Sequence, residues 1–96
     1  MLVLITYDVC TTDAAGKKRL AKVAKICVNY GQRVQNSVFE CLLDNAQYIL
    51  VKNQLLNVME KEKDSLRFYN IGNSYKNHVE HYGIKHSYDP KETMIM

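Results

Sequence analysis

Apolar and polar positions alternate along this chain in runs short enough to read one by one. Leu2 to Val9 is mostly apolar and β-branched, too brief for a helix, and predicts a central strand that delivers one carboxylate, Asp8, at its end. Thr11, Thr12 and Asp13 follow as helix N-caps, and a helix is expected from about Ala14 to Tyr30. Leu20, Val23, Ala24 and Cys27 fall at i, i+3, i+4 and i+7 and define its buried stripe. Gly31 then reads as a left-handed C-cap. Residues 32–43 form the next strand region, with faulty alternation at Asn36-Ser37. Val34 and Val38 share one parity, Phe39 and Cys41 the other, and a bulge or tight bend there would divide the run into two strands.

Asp44 is a good N-cap for a second helix, roughly Ala46 to Lys61, with Ile49, Leu55, Leu56 and Met59 among its apolar positions. The charged run Glu60-Lys61-Glu62-Lys63-Asp64 reads as a solvated helix end and loop. Ser65 to Ile71 predicts a strand, Gly72-Asn73-Ser74 a turn, and Val79 to Ile84 a further short strand. Asp89-Pro90 marks a turn before the apolar Met94-Ile95-Met96. No internal repeat is visible. This order of elements implies an α+β fold, a ferredoxin-like βαββαβ two-layer sandwich with an additional C-terminal strand segment.

A chain of 96 residues is expected to form a single domain over 1–96. At this size only about 60–65% of the unfolded surface is buried, so association is a natural supplement to the core. An apolar content of 47% argues against disorder, and the net charge of +3 is too mild to point to a partner without its placement. The three cysteines form no C-x-x-C pair, which favours free thiols in a reducing cytoplasm. Asp8 interrupts the first apolar run early, and no stretch nears the ~20 apolar residues of a membrane span, so a soluble cytoplasmic protein is expected.

Candidate chemistry begins with Asp8. A carboxylate at a strand end is rigidly held, as a hard cation such as Mg²⁺ requires, although a local turn hydrogen bond would explain the same residue. Metal-assisted phosphodiester cleavage uses several ligands, and the neighbouring Asp13 sits where a cap belongs. A two-fold dimer would supply a second Asp8, with waters and phosphate oxygens completing the shell. Lys17, Lys18 and Arg19 lie in early helical turns, where cations oppose the helix dipole, and phosphate contact accounts for them. Lys22 and Lys25 read as a solvated face. Arg33 either faces solvent or offers its fork to phosphate. His78, His81 and His86 match no zinc spacing and read as surface histidines of the tail; Tyr48, Tyr69, Cys27 and Cys41 read as core.

The segments V-L-I-T-Y-D-V, G-K-K-R-L-A-K-V-A-K, Y-G-Q-R-V-Q-N-S-V-F-E-C, D-S-L-R-F-Y and S-Y-D-P resemble, in order and spacing, the CRISPR-associated protein two family. The resemblance covers nearly the whole chain and looks like the version accompanying type I-C systems. It implies a homodimer with two sheets facing across a two-fold axis, where Asp8 meets its mate and binds Mg²⁺ or Mn²⁺. Arg33, Ser37 and Phe39 correspond to the family's second-strand motif, Arg33 for phosphate and Phe39 for packing. Many relatives carry Arg where this chain has Lys17 and Lys18, so charge is kept and bidentate geometry lost.

Two activities come with the resemblance. One is a metal-dependent endonuclease acting on double-stranded DNA or RNA, the other a non-catalytic bridge to the CRISPR integrase in spacer acquisition. Cleavage of duplex DNA is the expectation favoured here, because a symmetric dimer suits a two-fold substrate. A toxin-like ribonuclease of related fold stands as a further alternative. A regulatory domain would need a small-molecule motif, and none is seen. The segment after Pro90 is expected to add to the partner's sheet.

Overall fold

The computed structural model describes residues 1–9, 14–71 and 78–84. The expected caps at Thr11, Thr12 and Asp13, the turn at 72–74, Cys10, His86 and the tail from Asp89 onward lie outside these residues. Strand β1 spans Leu2–Asp8, α1 Ala14–Val28, β2 Gly31–Gln35, β3 Val38–Leu42, α2 Asn45–Val58, β4 Ser65–Asn70 and β5 His78–Gly83. The five strands form one antiparallel sheet in the order β2-β3-β1-β4-β5. The first four strands have the ferredoxin-like arrangement that the element order predicts, and β5 extends it beyond β4.

Alternation sets the two faces of the sheet. Val3, Ile5 and Tyr7 of β1, Phe39 and Cys41 of β3, and Leu66 and Phe68 of β4 are buried. They meet Leu20, Val23, Ala24 and Cys27 of α1 and Val51 and Leu55 of α2 in one core. Cys27 and Cys41 are free thiols inside it, as expected. β1 lies between β3 and β4, with Ile5 opposite both Phe39 and Phe68, so its final residue Asp8 is carried by the most supported strand of the sheet. No helix of the described residues is long and apolar enough to cross a membrane.

Three boundaries differ from the sequence reading, each for a local reason. α1 stops at Val28, and Gly31 is not a left-handed cap: it opens β2. Glycine is needed there because a Cβ would lie 1.9 Å from the carbonyl oxygen of Glu40 across the hairpin. α2 ends at Val58 rather than Lys61, closed by the Met59 amide donating to the Leu55 carbonyl at 3.0 Å. Its N-terminus carries the expected Asp44 cap, in a reciprocal box with Gln47. Of the apolar positions expected in this helix, Leu55 is buried, whereas Ile49 is 58% exposed. The imperfect alternation at Asn36-Ser37 resolves into a two-residue turn, with Gln35 opposite Val38 and a register irregularity between Arg33 and Gln35.

The charged run after α2 holds the largest departure. Asp64 is fully buried, not solvated. Residues 60–64 turn back on themselves, with the Asp64 amide donating to the Glu60 carbonyl at 2.8 Å, and carry the carboxylate beneath the sheet edge. At the far edge, Lys52 of α2 pairs with Glu80 of β5 at 2.8 Å, and the Tyr82 hydroxyl donates to the same carboxylate at 3.1 Å. Tyr48 and Tyr82 both meet Phe68 edge-on, so β5 is fastened to the helical layer.

Candidate functional site

Tyr7 and Asp8 point to opposite faces because they are consecutive in a strand. Tyr7 goes inward, where its hydroxyl donates to the Asp64 carboxylate. Asp8 is exposed on the open face of the sheet, the side without helices. There Thr6, Tyr7, Asp8, Ser37, Ser65, Arg67 and Tyr69 line a hollow of about 290 Å³. Three chain segments converge on it: the end of β1, the β2–β3 turn and the start of β4. Their positions are locked, since Ser65 pairs with Asp8 and the Tyr7 amide donates to the Ser37 carbonyl at 2.9 Å.

Behind this hollow lies a buried polar cluster. Arg19 sends Nε to Asp64 Oδ2 at 2.8 Å and Nη2 to Oδ1 at 3.0 Å, while the Glu60 amide donates to Oδ2 at 2.9 Å. Burial pushes the Asp64 carboxyl upward, but the hydrogen bonds from Arg19, Tyr7 and Glu60 outweigh it and leave its pKa below the usual carboxylate range. Burial first, then the bond to Asp64, pushes the Tyr7 phenol up. The hydrogen bond to Asp64 raises the already high pKa of Arg19. An ion pair with both carboxylate oxygens occupied holds the start of α1 against the segment that delivers Ser65, and so fixes the frame around Asp8.

The candidate residues from the sequence divide accordingly. Asp8 and Ser37 share the hollow. Lys17 and Lys18 are exposed on the first turns of α1, and Arg19, on the next position, is turned to Asp64. Arg33 is exposed on the helix-facing side of edge strand β2. Its Nε donates to the Asn36 carbonyl at 2.7 Å, and its guanidinium carbon lies 5.5 Å from the ring centre of Phe39. Phe39 itself is a fully buried core residue.

Two residues in or beside the hollow were read differently from the sequence. Tyr69 is not core: alternation with the buried Phe68 puts it on the open face. His81 is not a surface histidine of a tail; it sits on β5 opposite Arg67, whose Nε donates to its Nδ1 at 3.1 Å. Arg67 also donates from Nη1 to the Tyr69 hydroxyl at 3.3 Å. The alternation in Ser65-Leu66-Arg67-Phe68-Tyr69 carried the signal for Arg67, because an arginine flanked by buried Leu66 and Phe68 must face the other way.

The donors around Asp8 suit a hard cation. The hollow offers a carboxylate with hydroxyls of Thr6, Ser37 and Ser65, all oxygen. Among the described residues no group of three metal-ligating side chains exists, so one chain presents an incomplete set.

The model of the CRISPR-associated protein Cas2 family matches residues 1–79. A CRISPR-associated endonuclease Cas2 from Halalkalibacterium halodurans is 58% identical over 95 residues, covering 99% of each chain. A CRISPR-associated endoribonuclease Cas2 from Nitratidesulfovibrio vulgaris is 54% identical over 96 residues, which is all of this chain and 94% of the relative. The crystal structure of Streptococcus pyogenes Cas2 at pH 6.5 superposes with a TM-score of 0.73 at 54% identity, covering 75% of this chain and 87% of that one. With this sheet order and end-to-end identity, the chain belongs to the CRISPR-associated protein Cas2 family.

Proposed function

We propose that the protein is a metal-dependent endonuclease of CRISPR adaptation that cuts phosphodiester bonds and acts beside the CRISPR integrase in spacer acquisition. The observation that carries this reading is Asp8, exposed at the end of the central strand in a hollow that Ser37, Ser65 and Arg67 also line. Asp8 with its copy across a two-fold axis would hold Mg²⁺ or Mn²⁺, which when bound supplies charge stabilisation at phosphate and a more acidic water. The chain itself contributes position: β1 holds the carboxylate, and the cluster of Tyr7, Arg19 and Asp64 keeps strand and helix in register behind it.

The open face supports the homodimer. Leu42 is 70% exposed there, and Leu2, Tyr30, Gly31, Gln32, Glu40 and Leu42 border a second, largely apolar hollow at the opposite end from Asp8. Apolar surface at one end and a carboxylate at the other suit a two-fold contact between sheets, with the Asp8 residues near the axis. Lys17, Lys18 and Arg33 are the phosphate contacts in this reading; Arg19 is committed to Asp64, which neutralises its charge. Duplex DNA is the preferred substrate in this reading. RNA is the direct competitor, since the Nitratidesulfovibrio vulgaris relative is named an endoribonuclease.

A scaffold that bridges integrase dimers without cutting is the second reading, favoured by the single carboxylate presented per chain at the site. One paired experiment separates the two: cleavage of RNA and duplex DNA with and without divalent metal, beside integrase binding, for wild type and Asp8→Asn. Metal-dependent cleavage abolished by the substitution supports the nuclease. Integrase binding without any cleavage by the wild type supports the scaffold.

A further inference from the structure

We infer that Arg67, held in place by His81, is the residue that positions the substrate phosphate beside Asp8; the inference rests on the nuclease reading of that hollow. An exposed carboxylate repels a phosphodiester, so a nucleic acid entering the hollow needs a fixed positive charge on the same face. Most of the basic residues singled out from the sequence do not lie there. Arg33 is on the helix-facing side of β2, Arg19 is bound to Asp64 beneath the sheet, and Lys17 and Lys18 are on α1. Among the described residues, Arg67 is the one strand cation that shares the open face with Asp8.

The register sets the separation. Thr6 is opposite Arg67 and Asp8 opposite Ser65, so Asp8 and Arg67 are diagonal neighbours on adjacent strands, about 7–8 Å apart at the backbone. At that separation Asp8 would hold a cation and Arg67 would supply a guanidinium hydrogen bond to the phosphate of a nucleic acid entering the hollow. Arg67 is also oriented in advance. His81 Nδ1 accepts from Nε at 3.1 Å and the Tyr69 hydroxyl accepts from Nη1 at 3.3 Å, which fixes the plane of the fork. Because Nδ1 is the acceptor, the ring proton is on Nε2. Nε2 is buried with no hydrogen-bond partner among the described residues, so His81 meets the site through Nδ1 and Arg67. His81 is therefore a positioning residue that acts through Arg67.

The test compares Arg67→Ala, Arg67→Lys, His81→Leu and His81→Asn with wild type and Asp8→Asn. Binding of duplex DNA and of RNA is measured without divalent metal across a salt series, cleavage with Mg²⁺ or Mn²⁺, and dimerisation by sedimentation. Arg67→Ala should flatten the log–log salt slope on duplex DNA by about 0.9 for each phosphate released. It should also lower kcat/KM by on the order of tenfold to a hundredfold, the usual worth of a charge-assisted bond. Arg67→Lys should restore the slope and not the rate. Added guanidinium should recover activity in Arg67→Ala and not in Asp8→Asn. His81→Leu should lower kcat/KM with the slope retained, and His81→Asn, whose amide oxygen replaces Nδ1 as acceptor, should recover it. An unchanged slope and rate in Arg67→Ala would overturn the inference, as would loss of both together with the dimer, which would make Arg67 an interface residue. If the wild type binds nucleic acid but cuts nothing, the nuclease reading fails, and the salt slope by itself decides Arg67.

Discussion

Arg19 and Asp64, 45 positions apart in the chain, form a two-bond ion pair at 2.8 and 3.0 Å that ties α1 to the loop before β4. The carboxylate is fully buried and the Arg19 side chain partly so, and the Tyr7 hydroxyl joins them from the strand that carries Asp8. Removing one partner of such a pair strands a buried charge. Asp64→Asn should cost about 2–3 kcal/mol, below the full penalty for a buried pair because the Arg19 side chain keeps 15% of its exposure. Tyr7→Phe should cost about 1 kcal/mol. Urea denaturation of the single and double variants checks both, and the effects should be non-additive because the groups share one carboxylate.

Acid should weaken the fold through this cluster. The folded-state pKa of Asp64 lies below the ordinary carboxylate value of 3.8, so the unfolded chain binds the proton first. Its contribution is complete above the ordinary carboxylate range and is lost as pH falls below 3.8 toward the folded value. Thermal denaturation between pH 6 and pH 3 should show wild type falling more steeply than Asp64→Asn at the acid end. Parallel curves would mean that other carboxylates control acid unfolding.

Asp8 is exposed and lies outside the core, so Asp8→Asn should separate chemistry from stability. Metal-dependent cleavage should collapse while sedimentation and circular dichroism show a folded dimer like wild type. Undiminished cleavage in the variant would remove Asp8 from the reaction.

Lys17, Lys18 and Arg33 are expected to contact phosphate, whereas Arg19 is structural in this fold. Alanine at the first three should flatten the salt dependence of duplex binding by up to about 0.9 per lost contact, with little change in stability. Arg19→Ala should do the reverse, lowering the denaturation midpoint by more than it changes the slope. A fluorescence binding series in increasing salt, beside denaturation, distinguishes these patterns.

Two glycines should resist replacement for different reasons. At Gly31 a Cβ would meet the Glu40 carbonyl at 1.9 Å, so alanine must push β2 away from β3. Gly83 has φ 95° and a Cβ there would lie 2.1 Å from the Asp64 carbonyl oxygen, adding backbone strain to a clash. Each Ala variant should lose about 1–3 kcal/mol, with Gly83 at the upper end. Hydrogen exchange should show the loss at the β2–β3 pair for Gly31→Ala and at the β4–β5 pair for Gly83→Ala.

What the sequence determined by itself was the order and type of the elements, because each is written in local periodicity. The alternation of Val3, Ile5 and Tyr7, the i, i+3, i+4, i+7 stripe of α1 and the Asp44 cap act within one strand, one helix or one turn. The placement of Asp8 at a strand end was legible for the same reason. Tertiary structure decided the partners. Nothing local marks Asp64 as buried in a charged run, because what admits it to the interior is Arg19 and Tyr7, 45 and 57 positions away. Gly31 looks like a helix cap until β3 lies against it, and the reason for the glycine is a carbonyl on that other strand. Arg67 and His81 meet only because β5 pairs with β4 in one register. Charges and backbone contacts of this kind depend on which distant segment arrives, and that is set by the packing of the whole sheet rather than by any stretch of the chain.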